Sequence, residues 1–306
     1  MSEDFDVVTG GAGFIGSHLA ETLRARGRRV RIVDDFSTGR RALLAKDADL
    51  VEGDVNDVAA AAFQGASTVY HLAALPSVPR SVKMPLESHH ATARGTLAAL
   101  AAAERGGVKR FVFASSSSVY GDTPTLPKHE RMPPNPLSPY AAAKLAGEFY
   151  TTSWAGRGGL ETVSCRFFNV YGPRQDPDSP YAAVIPIFLR KLREGKPMTV
   201  YGDGGQTRDF TFVLDVVDGL IRAAAAAGVS GHVYNLAGGR PVTVLDMGKT
   251  LARLSGKPPT FEHLPPRPGD IRDSFADAAA ARRDLGFAAA VPLEEGLRRT
   301  LEWFSA

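Results

Sequence analysis

Cysteine is almost absent: Cys165 is the single one among 306 residues. That excludes an internal disulfide framework and any CxxC metal or redox motif, and it suits a reducing compartment. Long apolar runs are absent as well. Ala-rich stretches such as 98–103 are too short and too weakly apolar to span ~30 Å of hydrocarbon, so no membrane partner is expected. No basic segment followed by an apolar stretch precedes Phe5, where the first apolar run begins, and the expectation is a cytoplasmic protein with no secretory or transit peptide. Charge of one sign is also lacking, since 36 Lys and Arg face 33 Asp and Glu. Despite a pI of about 9.0 the arginines stand singly or in pairs, which argues against a nucleic-acid partner. No internal repeat is evident and no metal site is expected.

What is present is ordinary globular chemistry: 44% hydrophobic and 23% charged residues, enough for a sizeable core. The length lies near the ~250–300 residues at which one core stops growing, so one large unit or two modest ones are open. Short β-branched runs alternate with Ala/Leu-rich helical stretches: 5–9, then 14–26, 29–33, 48–52, 55–63 and 68–71. The rhythm continues through one long helix at 85–105, a strand at 109–115, a helix through 140–154 and a strand at 161–167. Parallel strands with helical crossovers predict an α/β fold, a doubly wound Rossmann sheet. From 171 to 180 prolines and polar residues crowd together, as in a loop at a cleft; 213–227 then reads as a helix and 232–236 as a strand able to return to the sheet. The expected division is a dinucleotide-binding domain over 1–170 plus about 210–237, and a smaller α/β substrate-binding domain over 171–209 and 238–306.

Thr9-Gly10-Gly11-Ala12-Gly13-Phe14-Ile15-Gly16 follows the first strand and opens the first helix. Glycines there permit a tight turn and let the backbone approach a pyrophosphate seated on the free amides of the helix start. Asp34 ends the second strand, 18 residues beyond Gly16. A carboxylate at that place accepts from adenosine ribose hydroxyls and repels a 2′-phosphate, which favours NAD over NADP. Asp54-Val55 and His71-Leu72-Ala73-Ala74 end the third and fourth strands on the same carboxyl edge, where open α/β sheets bind ligands. His71 is read as adjacent to the cofactor, without a chemical role.

Tyr140 and Lys144, four residues apart in a helical stretch, share one face. A free phenol has a pKa near ~10; bringing it close to neutrality takes ~3 units, or roughly 4 kcal/mol in favour of the phenolate, which a neighbouring ammonium and a cationic nicotinamide can supply together. Ser115-Ser116-Ser117-Ser118-Val119-Tyr120-Gly121 ends the fifth strand on the cofactor edge and offers a hydroxyl to hold a reacting oxygen.

With these motifs, joined by Arg166-Phe167-Phe168-Asn169-Val170-Tyr171-Gly172-Pro173, Tyr201-Gly202-Asp203-Gly204, Arg208-Asp209-Phe210 and Arg267-Pro268-Gly269-Asp270, the chain resembles the extended short-chain dehydrogenase/reductases, specifically the nucleotide-sugar epimerases and dehydratases. The resemblance implies catalysis by Tyr140 as general base, Lys144 as ribose ligand and tuner of the tyrosine, and Ser116 at the sugar hydroxyl. It implies an NAD site built from Gly10, Gly13, Phe14, Ile15, Gly16, Asp34, Asp35, Ser37, Thr38, Gly39, Asp54, Val55, Leu72, Ala73, Ala74, Tyr140, Lys144 and Phe167. For a UDP-sugar it implies Pro76, Ser116, Ser117, Ser118, Tyr140, Asn169, Ala183, Val184, Tyr201, Arg208, Arg267, Asp270 and Ser274, with Asn169, Arg208 and Arg267 on the diphosphate. Relatives are often homodimers joined through the helices near 85–105 and 138–156.

One departure stands out: Thr92 opens Thr92-Ala93-Arg94-Gly95-Thr96 where relatives usually carry Asn, so a hydrogen bond or helix distortion attributed to that amide is in doubt. Relatives that dehydrate or decarboxylate place an acid just after the catalytic hydroxyl, whereas Ser117 and Ser118 stand here, and the chain is more similar to 4-epimerases of UDP-glucose and UDP-N-acetylglucosamine. Similarity also implies that Ser274 and Pro76 leave room for an N-acetyl group. UDP-glucuronate epimerisation or decarboxylation is the alternative, and a non-catalytic NAD-binding regulator would be expected to have lost the Tyr/Lys pair or the serine.

Overall fold

The computed structural model describes residues 4–179, 182–266 and 271–305. Seven strands form one sheet: β1 (Phe5–Thr9), β2 (Arg29–Asp34), β3 (Asp49–Glu52), β4 (Ala66–His71), β5 (Arg110–Ser116), β6 (Glu161–Phe167) and β7 (His232–Leu236). They are all parallel, in the order β7-β6-β5-β4-β1-β2-β3. The order reverses between β1 and β4, which opens a crevice at their carboxyl ends, as expected of a doubly wound sheet.

The period-2 alternation of each strand feeds two cores. Val7, Val33, Val69, Phe111 and Phe113 point to one face, where α2 (Val55–Ala62), α3 (Gly95–Arg105) and α4 (Pro139–Trp154) cover them. Val8, Ile32, Val112 and Val163 point to the other, under α1 (Phe14–Ala25) and α6 (Val213–Ala225). Both faces are covered, so the strands are apolar on both sides. Each fully buried Val or Phe contributes about 1.5–3 kcal/mol of transfer free energy.

A third cluster is built from α5 (Val184–Arg193), α7 (Val244–Leu254), α8 (Leu293–Ser305) and the paired strands Met198–Tyr201 and Phe261–Leu264, through residues such as Phe188, Val200, Met247 and Leu297. The chain re-enters the sheet's core once more, because Ala281, Leu285 and Phe287 belong to the cluster under α1 and α6. We propose two lobes with the expected bounds, apart from this excursion at 279–287.

The helix expected at 85–105 is not uniform. Pro85–His89 passes into a π-turn at His90–Arg94 before α3, and a separate short helix, Val78–Lys83, precedes it. The distortion is therefore present with threonine in place of the usual amide. Thr92 is fully buried, and the Thr96 hydroxyl donates to its carbonyl at 2.7 Å.

Candidate active site

A cavity of about 1030 Å³ runs along the carboxyl edge of the sheet. Its nucleotide end is built on the start of α1. Gly13 caps that helix without a side-chain hydrogen bond, so the first-turn amides remain for an anion. Gly10 has φ +68°, and a Cβ on Gly16 would lie 2.1 Å from the Gly10 carbonyl oxygen. No side chain larger than hydrogen fits there, and the backbone itself forms the cradle.

Asp34 at the end of β2 accepts from the amides of Ala12 (2.8 Å) and Phe36 (2.9 Å). Burial raises its pKa and the two amides counter the shift. Asp54 caps α2 by accepting from Asn56 N at 2.8 Å and meets His90 Nε2 at 2.8 Å; burial opposes ionisation, but these partners hold its pKa below the ordinary carboxylate value. His71 lies beneath the edge, fully buried between Thr9 Oγ1 (2.8 Å) and Thr96 Oγ1 (3.3 Å), and burial drives its pKa down to about 3. A neutral ring without access to the cavity has no acid–base role. Through Thr9 Oγ1 it props the Ala73 amide, which donates there at 3.2 Å.

Tyr140 and Lys144 stand on the first two turns of α4, where Ser138 caps the helix by accepting from Ala141 N at 3.2 Å and Pro139 occupies the first turn. Both residues line the cavity beside Ser116, Ser117 and Ser118. Burial of the phenol pushes the Tyr140 pKa up to about 12, and a hydrogen bond with Ser116 pulls the other way. Lys144 is 3% exposed; burial brings its pKa down to about 7 against the attraction of Glu148. Its Nζ donates to Ala114 O at 2.7 Å and lies 5.0 Å from the Phe113 ring centroid. A second tie between α4 and the sheet lies one turn further on: Glu148 takes Arg166 bidentately, at 2.8 and 2.6 Å, and accepts from Ser115. These ties fix tyrosine, lysine and serine in one register.

The far end of the cavity is walled by Asn169, Ala183, Arg208 and Ser274. Strand pairing sets Ser274 opposite Arg208. The cavity wall also holds every expected cofactor residue except Gly39, and Pro76. A Cβ on Gly39 would meet Asp34 Oδ1 at 2.5 Å, so this glycine serves by letting the chain pass close to the carboxylate. Val184 and Tyr201 are not among the wall residues: Val184 packs into the third core cluster, and Tyr201 ends a strand paired with 261–264. Arg267 and Asp270 lie outside the described residues. Sequence reasoning missed three arginines of the wall, Arg40, Arg80 and Arg174. Arg40 Nη2 donates to Arg174 O at 2.9 Å, and Arg174 adopts φ 71°.

The profile of the NAD dependent epimerase/dehydratase family matches residues 7–237. The chain belongs to that family. Like the rest of this NAD-dependent family it takes NAD as cofactor, and the glycine cradle with Asp34 behind it suits that dinucleotide. The family member UDP-glucose 4-epimerase of Mycolicibacterium smegmatis is 40% identical over 97% of both chains. The structure of UDP-N-acetylglucosamine 4-epimerase from Methanobrevibacter ruminantium, in complex with UDP-N-acetylmuramic acid, superposes with a TM-score of 0.94 at 36% identity, covering 100% of this chain and 99% of that one. A mutant UDP-glucuronic acid 4-epimerase from Bacillus cereus, in complex with UDP-4-deoxy-4-fluoro-glucuronic acid and NAD, gives 0.90 at 31% identity over 98% of each chain. Within the family, then, the chain is 4-epimerase-like along its full length. No helix among the described residues is long and apolar enough to cross a membrane.

Proposed function

We propose that the protein is an NAD-dependent 4-epimerase of UDP-hexoses, acting on UDP-glucose/UDP-galactose and on their N-acetylated counterparts. The observation that carries the reading is the cluster of Tyr140, Lys144 and Ser116 in one cavity, followed by serines at 117 and 118 where a dehydratase or decarboxylase needs an acid. Tyr140 takes the C4 hydroxyl proton, Ser116 holds that oxygen, and Lys144 stabilises the phenolate. NAD bound on the glycine cradle supplies the reversible hydride acceptor. The 4-keto sugar must then expose its other face, so the site has to grip the nucleotide diphosphate and leave the hexose room to turn. Arg208 and Asn169 suit the grip, and the small wall residues Pro76, Ala183 and Ser274 suit the turning.

The test is NMR of products after incubation with UDP-glucose, UDP-N-acetylglucosamine and UDP-glucuronate. Inversion at C4 of the two neutral sugars is expected. Elimination, decarboxylation or no reaction defeats the proposal. UDP-glucuronate epimerisation is the second reading, because Arg80 adds a cation to the cavity wall; its guanidinium, however, already lies 3.7 Å from Glu87.

Ser274, 7% exposed in the wall, is the proposed gate for the acetamido group. Ser274→Tyr is expected to abolish turnover of UDP-N-acetylglucosamine and to spare UDP-glucose. Equal loss on both substrates, measured as kcat/KM, contradicts the gate.

We also propose a homodimer. Leu86 is 84% exposed on the helix before the π-turn and Phe149 is 61% exposed on α4, both within the helices through which the resemblance implies pairing. Sedimentation or light scattering should give twice the chain mass for the wild type and a monomer for Leu86→Glu/Phe149→Glu; a monomeric wild type defeats this part.

A further inference from the structure

Asp209 is fully buried in the short strand Thr207–Asp209 and is not part of the cavity wall. Its carboxylate gathers three backbone amides from two distant parts of the chain. Gly238 N donates to Oδ1 at 2.9 Å, Gly239 N to Oδ2 at 2.9 Å and Ala276 N to Oδ2 at 3.2 Å. Gly238 and Gly239 follow β7, and Ala276 follows the strand Asp273–Ser274. The backbone of Asp209 makes a fourth tie, since its carbonyl accepts from Asn169 Nδ2 at 3.1 Å.

The clasp reaches the cavity's far wall at three points. Arg208 precedes Asp209 in the strand, Ser274 lies opposite Arg208 and two residues before Ala276, and Asn169 is held directly. Asn169 itself has φ 29°, a conformation that its surroundings must enforce. Burial raises the carboxyl pKa to about 6 although three amides oppose the shift. Keeping a carboxylate in so dry a place is costly, and its distinctive capacity is to accept on both oxygens at once. An amide in its place has one acceptor and one donor, and whichever way it turns an N–H faces an N–H.

We propose that Asp209 is the positioning residue of the substrate end: by clasping 238–239 and 276 to the 207–209 strand, it sets Arg208, Asn169 and Ser274 at the spacing that grips a nucleotide diphosphate and borders the sugar. The inference rests on the functional reading above and adds the residue that builds the grip. Tyr140, Lys144, Ser116 and the glycine cradle stand on other elements, so they keep their places when the clasp opens.

The test is Asp209→Asn in the full chain, with UDP-glucose affinity by calorimetry, kcat and KM from the epimerase assay, and the amount of NAD that co-purifies. The expected result is a rise of about tenfold or more in Kd and KM, with kcat within about threefold of wild type and NAD content unchanged. Should that variant fail to fold, Gly238→Ala serves. Its Cβ would stand 3.1 Å from Asp209 Oδ1 and press on the same clasp, and a rise of about threefold or more in Kd at unchanged kcat is expected. Unchanged affinity in the variant that folds, or a fall of kcat and NAD content together with affinity, overturns the proposal. A wild-type protein that neither binds nor converts UDP-sugars overturns the functional reading, and this inference with it.

Discussion

Tyr140→Phe is expected to lower kcat by about 10²–10⁴-fold while NAD stays bound. The substitution removes one oxygen, which in this protein hydrogen-bonds with Ser116 and is held by burial at a pKa near 12. At that value the free enzyme carries almost no phenolate at neutral pH, so the tyrosine becomes a base only through charge brought close to it. Lys144 is placed to supply part of that charge, one turn along the same helix, and its own pKa near 7 means that binding a negatively charged partner strengthens its protonation. A serine hydroxyl cannot take over, since Ser116 is itself a proton donor with no stronger base behind it: its oxygen accepts from Ser118 N and from the Ser118 hydroxyl at 3.2 and 2.9 Å. Turnover by NMR, together with NAD released on denaturation, checks the expectation. Undiminished turnover with NAD present removes Tyr140 from the role of base.

The second large effect concerns the cradle. Gly16→Ala places a methyl group 2.1 Å from the Gly10 carbonyl oxygen and 2.8 Å from its carbon. Alanine gains about 1 kcal/mol over glycine inside a helix, but that gain is small against an overlap with backbone atoms that no rotamer change relieves. The loop has to move away from the helix start, and a displacement of about 1 Å is enough to cost roughly 100-fold in a positioned site. The variant is therefore expected to purify without NAD and to lack epimerase activity, with its circular dichroism retained because the overlap falls on the loop before α1, while Leu19, Ala20 and Leu23 further along the helix keep their packing on the sheet. Calorimetry with added NAD measures the loss; wild-type affinity would show that the cradle tolerates a side chain.

Much of this architecture was legible in the sequence because it follows from local chemistry. Runs such as 5–9 and 29–34, separated by a helical stretch with glycines at its start, leave few folds open, and Asp34 could be placed at the end of the second strand, on the cavity's edge, from its spacing alone. The Tyr140/Lys144 pair was legible for the same reason, since helical periodicity puts both on one face. The resemblance supplied what periodicity could not, chiefly Asn169, Arg208 and Ser274: the pairing of 207–208 with 273–274 brings Arg208 to Ser274, and the Asn169 side chain joins them by donating to Asp209 O. Other features depended on geometry that no short window encodes. The π-turn at 90–94 shifts the helix by one residue although Thr92 lacks the usual amide; Arg40 and Arg174 reach the wall from loops, the latter with positive φ, and Arg80 from the short helix Val78–Lys83. Val184 and Tyr201 belong to motifs similar to those of substrate-binding relatives, yet their side chains do not line the cavity.

The pairing of β7 with β6 spans the whole of the segment 168–231. While the chain is being synthesised, β6 therefore waits as an open edge, its row of amides and carbonyls unpaired and its buried-to-be Val163 and Cys165 uncovered, until residues 232–236 emerge to close it. The helix that shields the same region, α6, also arrives in that interval. Closing this side of the sheet is thus a long-range event in sequence, and until it happens the edge of β6 is the place where the growing chain is most open to pairing with a neighbour's strand.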